Sequence, residues 1–415
     1  MPEPAHYSRF AASSLTEALG DSPVVLVHGP RQCGKTTLAR EVGAQRDYGY
    51  FTFDNDATRA AAEADPVGFV DGLPERTILD EIQRVPGLFT TLKAAVDRDR
   101  RPGRFLLTGS ANVLLVPRLA DSLAGRMAIL RLHPLAQCEL ARTPSTFLDS
   151  LFESSFPTRA LPRLKDELPA RIAAGGYPAA LARPEGSRRS SWYRDYIDTL
   201  IQRDVRDLAR ISALDALPRL LRMAAGRTAQ LFNLSDLAAP FQLSRPTIGD
   251  YVTLLEHIFL LERLPPWHSN RTSRLVKTPK LHLGDTGLAC GLLGLDTAAL
   301  VADRSQMGPL LETFVFQELR RQASWHPQDH AFFHFRDKDM AEVDIVIERG
   351  ARALAGVEVK AAASITSADF RGLRKLRDAS GKRFAAGVVL YDGDTCASFG
   401  DGLFAVPLRL LWETH

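Results

Sequence analysis

The loop that decides the fold of the N-terminal part of this chain reads Gly29-Pro30-Arg31-Gln32-Cys33-Gly34-Lys35-Thr36. An apolar run at residues 24–27 precedes it, and a helical segment follows from Lys35 onwards. Glycines with the spacing GxxxxGK(S/T) let backbone N–H groups surround phosphate oxygens. The alternative is a chance glycine-rich turn, but such a turn does not need a strand before it and a helix after it, as this loop has. The sequence therefore predicts an ATP or GTP site formed by this loop and the following Thr37.

Side chains of this loop and of a second motif supply the chemistry of the predicted site. Lys35 can reach the β- and γ-phosphates, and the Thr36 hydroxyl can bind Mg²⁺. The second motif, ILDE at residues 78–81, ends an apolar run. At the carboxyl end of a buried strand, Asp80 would hold the water shell of Mg²⁺ and Glu81 would polarise the attacking water. A solvated acidic pair at a strand end is the structural alternative.

Alternating strands and helices predict the fold of the first 135 residues. Five short apolar runs read as strands, at residues 24–28, 50–53, 77–79, 104–107 and 127–132. Helical stretches separate them, including the amphipathic residues 89–96, and this alternation is typical of a parallel sheet with helices on both faces. A spare strand between the two motifs indicates the additional-strand class of P-loop ATPases, which uses a catalytic acid at the position of Glu81.

Polar residues near the last two strands complete the predicted site. Thr108 and Ser110 end the run FLLTGS, and either of them can sense the γ-phosphate or cap the next helix. Arg126 lies just before the fifth strand, where a guanidinium can enter a neighbouring subunit's ATP site as an arginine finger. A plain surface arginine is the alternative for Arg126.

Four motifs follow one another along the chain: GPRQCGKTTL, ILDEIQ, FLLTGS, and LAGR before His133. In this order they resemble the AAA-type ATPases (AAA+ superfamily) of bacteria and archaea that carry a C-terminal domain of unknown function. The resemblance covers nearly the whole chain. It implies that residues 1–135 are a Mg²⁺-dependent ATPase core, that residues 136–213, which lack strand patterning, are a helical lid, and that the protein forms a homo-oligomer, such as a ring.

The pattern of residues 214–284 is that of three helices followed by two extended segments. The helices are predicted at residues 217–225, 234–238 and 245–258, and the extended segments at 259–267 and 278–283. This helix-turn-helix spacing with a hairpin predicts a winged helix. Its DNA contacts would come from Arg245 and Thr247 at the bases and from Arg271, Arg274 and Lys277 at the phosphates. Winged helices that only contact proteins are the alternative.

The last part, residues 285–415, has the order helix, three strands, helix, strand, and it resembles the PD-(D/E)xK restriction-endonuclease fold. Glu358 and Lys360 are two residues apart in a strand and share a face, which would point towards Asp344 on the adjacent strand. Two carboxylates can hold Mg²⁺ while the lysine orients the attacking water, and Glu312 on the preceding helix would add an acid. A catalytically silent nuclease fold is the alternative.

The composition limits the number of domains, the partners and the location that can be expected for the protein. A chain of 415 residues with 45% hydrophobic residues predicts several globular domains, and the net charge of +3 is too small to imply nucleic acid by itself. The four cysteines form no CxxC motif, and no apolar run approaches the about 18 residues of a membrane helix. We therefore expect a cytoplasmic protein with reduced thiols and no membrane partner.

Together these patterns predict an α/β multidomain protein: a P-loop ATPase core, a helical lid, a winged helix and a restriction-endonuclease-like domain. Its predicted function is ATP hydrolysis coupled to the remodelling or processing of duplex or branched DNA. The alternative is a nucleotide-dependent switch or scaffold, of a defence or toxin-antitoxin type, whose nuclease-like domain is catalytically silent. A metal-dependent nuclease gated by ATP is a third possibility.

Overall fold

The structure, a computed structural model, describes residues 6–110, 123, 125–157, 160–202, 216–269 and 278–413. The chain divides into two compact units. The N-terminal unit consists of Ser8–Leu135 and His257–Phe259, and the C-terminal unit consists of Met1–Tyr7, Ala136–Glu256 and Leu260–His415. The three parts predicted after residue 135 lie together in the C-terminal unit, and their separate bounds stay a prediction. Among the described residues, no helix is long and apolar enough to cross a membrane.

A five-stranded parallel sheet forms the centre of the N-terminal unit, as the sequence predicts. Its strands are β1 (Val24–His28), β2 (Gly49–Thr52), β3 (Thr77–Asp80), β4 (Phe105–Gly109) and β5 (Met127–Arg131). Their order in the sheet is β2-β3-β4-β1-β5, and every neighbouring pair is parallel. All residues of β1 and β4 are buried, which is why these strands read as unbroken apolar runs rather than alternating ones.

Among the described residues of this unit, five α-helices accompany the sheet. They are α1 (Ala11–Asp21), α2 (Lys35–Ala44), α3 (Asp56–Ala64), α4 (Pro66–Asp71) and α5 (Leu88–Arg98). Side chains start two of them, because Asn55 accepts a hydrogen bond from the Thr58 amide and Asp65 accepts one from the Gly68 amide. Helix α5 is amphipathic as predicted, and it buries Leu92 in the core of the unit.

The position of β4 determines where the two sequence motifs meet. In the chain, β2 comes between the phosphate loop and the acidic motif, but β2 lies at the edge of the sheet. The strand that separates β1 from β3 in the sheet is β4. Because the three strands are parallel, the residues after β1, β3 and β4 reach the same edge of the sheet.

The first half of the C-terminal unit is mainly helical. Its helices are α6 (Gln137–Ala141), α7 (Phe147–Glu153), α8 (Glu167–Ala174), α9 (Pro178–Leu181), α10 (Ser187–Leu200), α11 (Ala216–Ala225), α12 (Leu234–Ala238) and α13 (Arg245–His257). A small antiparallel sheet, in the order β6-β8-β7, contains β6 (Gln230–Leu231), β7 (Leu261–Leu264) and β8 (Lys280–Leu283). The two-residue strand β6 was not predicted. The predicted wing tip with Arg271, Arg274 and Lys277 lies outside the described residues.

A mixed six-stranded sheet forms the second half of the C-terminal unit. Its strands are β9 (His330–Arg336), β10 (Glu342–Arg349), β11 (Ala353–Lys360), β12 (Phe384–Tyr391), β13 (Ala397–Ser398) and β14 (Leu403–Pro407). The order is β13-β14-β12-β11-β10-β9, with β9, β10 and β11 antiparallel and with β12 parallel to both β11 and β14. The helices are α14 (Thr286–Leu293), α15 (Thr297–Ala302), α16 (Met307–Ala323) and α17 (Arg371–Ser380). The order α16 to β12 is the predicted one, whereas β13 and β14 were not predicted.

Candidate functional site

Two glycines allow the backbone conformation of the phosphate loop. Gly29 has φ +155°, and a Cβ atom at this position would lie 2.0 Å from the backbone oxygen of Leu132, so no larger residue fits. Gly34 has φ +102°, a conformation that residues with side chains rarely adopt, and it leads directly into α2. The N-terminus of α2 and its preceding amides therefore face the space that the loop surrounds, which is a favourable environment for an anion.

Lys35 and Thr36 are both engaged within the loop and its neighbours. The Lys35 ammonium is buried and donates to the backbone oxygens of Gly29, at 3.1 Å, and Pro30, at 2.8 Å. The Thr36 hydroxyl donates to Asp80 Oδ1 at 2.9 Å. This last contact joins the phosphate loop to the acidic motif, so the two predicted Mg²⁺ ligands lie side by side.

Asp80 is surrounded by hydroxyl groups. Besides Thr36, the hydroxyl of Thr108 donates to its Oδ1, and the hydroxyl of Tyr50 donates to its Oδ2 at 2.8 Å. Burial, together with the hydrogen bond to Asp80, raises the pKa of Tyr50 to about 12, so the phenol keeps its proton. Carboxylate and hydroxyl oxygens are ligands that Mg²⁺ prefers, and Thr36 with Asp80 therefore fit the ion. Tyr50 was not predicted, because no motif marks it.

Glu81 is held by the polar residues around it. Its backbone is left-handed, with φ +57°, and its amide donates to Thr108 Oγ1 at 3.2 Å. Ser110 donates its hydroxyl to Glu81 Oε2 at 3.1 Å, and the amide of Gln83 donates to the same oxygen. Thr108 thus contacts Asp80 and Ser110 contacts Glu81. Residues 111–122, where the next helix is predicted, lie outside the described part, so helix capping and γ-phosphate sensing both stay predictions.

Arg126 makes an ion pair on its own subunit. Its Nε donates to Asp97 Oδ1 at 2.6 Å, and this hydrogen bond is the main reason why the pKa of Asp97 is lowered. The Arg126 side chain is 27% exposed. Because solvent screens an ion pair at the surface, this contact contributes little stability and is no barrier to a movement of the guanidinium.

Arg9 contacts the phosphate loop and was missed by the sequence analysis. Its guanidinium is buried and donates to the backbone oxygens of Cys33 and His133, at 2.7 Å each. It therefore connects the loop to the segment after β5. A single arginine ahead of α1 belongs to no motif, so no pattern in the sequence marks this role.

His28, at the end of β1, makes the N-terminal unit sensitive to acid. Burial, with smaller contributions from Arg131 and Lys35, lowers the pKa of His28 from 6.5 to about 4. Because the pKa is lower in the folded protein, the unfolded chain binds the proton more readily. The stability contributed by the neutral His28 imidazole is therefore present above pH 6.5 and is lost as pH falls through 4. The loss amounts to about 3 kcal/mol.

We therefore expect the free energy of unfolding of the native protein, relative to that of a His28→Gln variant, to fall by about 3 kcal/mol from pH 7.5 to pH 4. Urea unfolding followed by circular dichroism at several pH values measures this difference. A difference that does not change with pH would contradict the burial of a neutral imidazole.

The predicted nuclease residues come together in the C-terminal unit around a lysine that was not predicted. We call Glu312, Glu342, Asp344 and Glu358 the acidic cluster. The Lys280 ammonium, at the start of β8, contacts the first three of these acids. Lys360 pairs with Glu358 at 2.8 Å, and Asp344 Oδ2 accepts a hydrogen bond from the Val359 amide at 3.0 Å.

The residues predicted to approach DNA bases lie at the start of α13. Ser244 caps this helix, since its hydroxyl accepts a hydrogen bond from the Thr247 amide at 3.2 Å and also bonds the Thr247 hydroxyl at 2.8 Å. Arg245 is exposed in the first turn. A guanidinium in this position is accessible to a partner, whereas the Thr247 hydroxyl is already engaged with Ser244.

Comparison with known proteins gives the family. An AAA domain model matches residues 21–141, and two models of domains of unknown function, DUF8612 and DUF4143, match residues 165–299 and 307–411. The chain is 32% identical over 409 residues to the uncharacterized protein Rv2008c of Mycobacterium tuberculosis, covering 98% of this chain and 85% of that protein. Uncharacterized protein Mb2031c of Mycobacterium bovis matches with the same values. The chain belongs to the family of these mycobacterial proteins.

The AAA domain match covers most of the N-terminal unit, whose core is a parallel sheet with a P-loop. This core is that of an AAA-type ATPase. Similar solved structures include the Walker-type ATPase of Pyrococcus abyssi, with 16% identity over 68% of this chain and 94% of that one and a TM-score of 0.40. The RuvB Holliday junction branch migration motor of Thermotoga maritima is 19% identical in sequence, with a TM-score of 0.28. The match covers 62% of this chain and 90% of the RuvB chain. Scores this low carry no further argument.

Proposed function

We propose that this protein hydrolyses ATP at the phosphate loop of its N-terminal unit, with Mg²⁺ held by Thr36 and Asp80. The observation that carries the proposal is the 2.9 Å contact between these two side chains, with Glu81 next in the chain. Mg²⁺ would neutralise charge on the phosphate oxygens. The amides of residues 29–37 would bind the phosphates, and Lys35 would exchange its two carbonyl partners for phosphate oxygens.

Glu81 is the proposed general base, and the residues around it orient its carboxylate. The Ser110 hydroxyl and the Gln83 amide both donate to Oε2, which leaves Oε1 for a proton taken from the attacking water. The Thr108 hydroxyl donates to the Asp80 carboxylate and accepts from the Glu81 amide, so it holds the Asp80 side chain against the backbone at Glu81. Thr108 and Ser110 are therefore proposed as positioning residues that also sense the γ-phosphate.

A homo-oligomer would complete each ATP site. In the proposed assembly, Arg126 leaves Asp97 and contributes its guanidinium to the transferred phosphoryl group of a neighbouring subunit. Support comes from its partial exposure and from the low energetic cost of breaking a surface ion pair. The membership in an AAA-type family is consistent with such an arrangement.

DNA is the proposed partner of the C-terminal unit. Support comes from the order of α11, α12 and α13 followed by β7 and β8, which is that of a winged helix, and from the exposed Arg245 in the first turn of α13. The proposed phosphate contacts are Arg271, Arg274 and Lys277. ATP hydrolysis would then drive the remodelling or processing of duplex or branched DNA.

One observation favours a second candidate, a nucleotide-dependent switch or scaffold. Three carboxylates of the acidic cluster already contact the Lys280 ammonium within the protein itself, which suits a binding domain better than a metal-dependent nuclease. A motor and a switch differ in their response to DNA. Hydrolysis by a motor is stimulated by DNA, whereas a switch hydrolyses slowly and changes partners with the nucleotide state.

The experiment that separates the two measures the ATPase rate with single-stranded, duplex and four-way junction DNA. We expect DNA stimulation in the native protein and no hydrolysis in Lys35→Ala. A variant with Arg245→Ala, Arg271→Ala and Arg274→Ala should bind DNA more weakly. The slope of the logarithm of its binding constant against the logarithm of the salt concentration should become less steep by about one for each arginine that contacts a phosphate. Arg352→Ala, which changes an exposed arginine elsewhere, is the matched control. Absence of stimulation by every DNA would favour the switch.

A further inference from the structure

The acidic cluster contains its own cation. A nuclease-like site would need its carboxylates for Mg²⁺, but here an ammonium group lies among them. We propose that Lys280 is the resident cation of the acidic cluster, that it takes the place of a divalent metal ion, and that this part of the C-terminal unit is a metal-independent structural element. The inference concerns a site distinct from the proposed ATPase site and does not rest on its activity.

Three carboxylates lie around the Lys280 ammonium. Its Nζ lies 2.8 Å from Glu312 Oε1, 2.6 Å from Glu342 Oε1 and 3.2 Å from Asp344 Oδ1. Nζ donates hydrogen bonds to Glu312 and Asp344, and Glu342 adds a close ion pair, so three carboxylates share one ammonium. The side chain is 3% exposed. Such a buried ammonium is stable only because its partners surround it.

The three acids come from two different elements, and Lys280 comes from a third. Glu312 lies on α16, whereas Glu342 and Asp344 lie on the same face of β10, two residues apart. Lys280 starts β8 in the small antiparallel sheet. The ammonium therefore ties β8, α16 and the large sheet of the C-terminal unit together at one point.

The charges of the cluster keep Lys280 protonated. Burial opposes the charge, but attraction to Asp344, Glu312 and Glu342 outweighs it, so the pKa of Lys280 is raised. Burial, and then repulsion from Asp344, raises the pKa of Glu312 well above its ordinary value. A cluster with this many acids needs a cation, and the lysine supplies it without any ligand from solution.

A divalent ion does not fit beside this ammonium. Mg²⁺ requires oxygen ligands at about 2.0–2.1 Å in octahedral geometry, and an ammonium at the centre of the same oxygens repels it. The second oxygen of Asp344 is also engaged, by the Val359 amide, and one oxygen of Glu358 is engaged by Lys360. Within the described part of the chain, no three histidine, cysteine or acidic side chains are arranged to hold a metal ion.

The test is a Mn²⁺ titration of the full chain without nucleotide, followed by the electron paramagnetic resonance signal of free Mn²⁺. We expect the native protein and an Asp344→Asn variant to bind the same number of Mn²⁺ ions, because the acidic cluster of the native protein binds none. Lys280→Met keeps the length of the side chain and removes its charge, so it should gain one Mn²⁺ site at least about 10-fold tighter than any other, because the freed carboxylates attract the ion. Adding Asp344→Asn to Lys280→Met should abolish that site.

Lys382→Met, which changes an exposed lysine of the same unit, is the matched control and should gain no site. A native Mn²⁺ site that Asp344→Asn removes would overturn the proposal, and so would a folded Lys280→Met variant without a new site. If Lys280→Met does not fold, the comparison of the native protein with Asp344→Asn decides alone. An absent site then supports the proposal, and a present one refutes it.

Discussion

Replacing Glu81 by glutamine is expected to lower kcat for ATP hydrolysis by about 100- to 1,000-fold while ATP affinity stays nearly unchanged. Glutamine keeps the shape of the side chain and can still bond Ser110, but it cannot take a proton from water. Lys35, Thr36 and the loop amides, which would bind the phosphates, are untouched. The effect should therefore fall on kcat and not on KM or on nucleotide binding.

Two measurements check this expectation: steady-state phosphate release, and equilibrium binding of a fluorescent ATP analogue. Glu63→Gln is a matched control, because Glu63 is exposed on α3 and should leave both quantities unchanged. An undiminished kcat in Glu81→Gln would exclude Glu81 as the base. Loss of nucleotide binding together with kcat would instead indicate that the substitution disrupts the loop through Ser110 and Gln83.

The same variant tests whether sites are shared between subunits. An Arg126→Ala variant should also be inactive if its guanidinium acts on a neighbouring subunit. When the two inactive variants are mixed at equal amounts, some sites combine an intact Glu81 with an intact Arg126 from the neighbour, and random mixing restores roughly a quarter of the activity. If mixing restores nothing, Arg126 does not act across an interface.

Features that depend on local sequence could be predicted, and the ATP site is the best example. The loop of residues 29–36 needs particular glycines, and the pair Asp80 and Glu81 ends a strand, so each motif carries its own structural context. Strands β1, β3 and β4 of the N-terminal unit were predicted because every residue in them is buried, which makes them unbroken apolar runs.

Features that depend on tertiary contacts could not be predicted. Lys280 is an ordinary lysine in the sequence, and only the folding of β8 against α16 and β10 brings it among the acids. Arg9 and Tyr50 reach the ATP site from segments without any motif. Strand β6 has two residues, too few to show a periodicity, and it is defined by its pairing with β8, which comes much later in the sequence.

A buried ionic network stabilises the C-terminal unit and predicts the largest effect on stability. Arg321 is 3% exposed and lies between two acids that are fully buried, bonding Asp285 at 2.8 Å and Glu318 at 3.0 Å. Asp285 also accepts a hydrogen bond from the Gly176 amide at 2.8 Å, and Glu318 accepts one from the Gln137 amide at 2.8 Å. The network therefore joins α16 to segments more than a hundred residues away.

Replacing Arg321 by methionine is expected to lower the free energy of unfolding of the C-terminal unit by about 3–5 kcal/mol, because two buried carboxylates lose their cation. Burial already raises the pKa of Glu318 to about 7, so this acid can take a proton and the cost should lie near the lower end of the range. Asp285 keeps its amide donors, but without the guanidinium its buried charge is left uncompensated.

Tryptophan fluorescence during urea unfolding measures this loss, since all four tryptophans lie in the C-terminal unit. Arg377→Met is the matched control: Arg377 pairs with Asp401 at 3.1 Å on the surface, and its loss should cost less than about 1 kcal/mol. Equal effects of the two substitutions would show that the buried network adds nothing beyond a surface pair. A large effect of Arg321→Met alone would show that the buried guanidinium stabilises the contacts between α16 and the segments that contain Gly176 and Gln137.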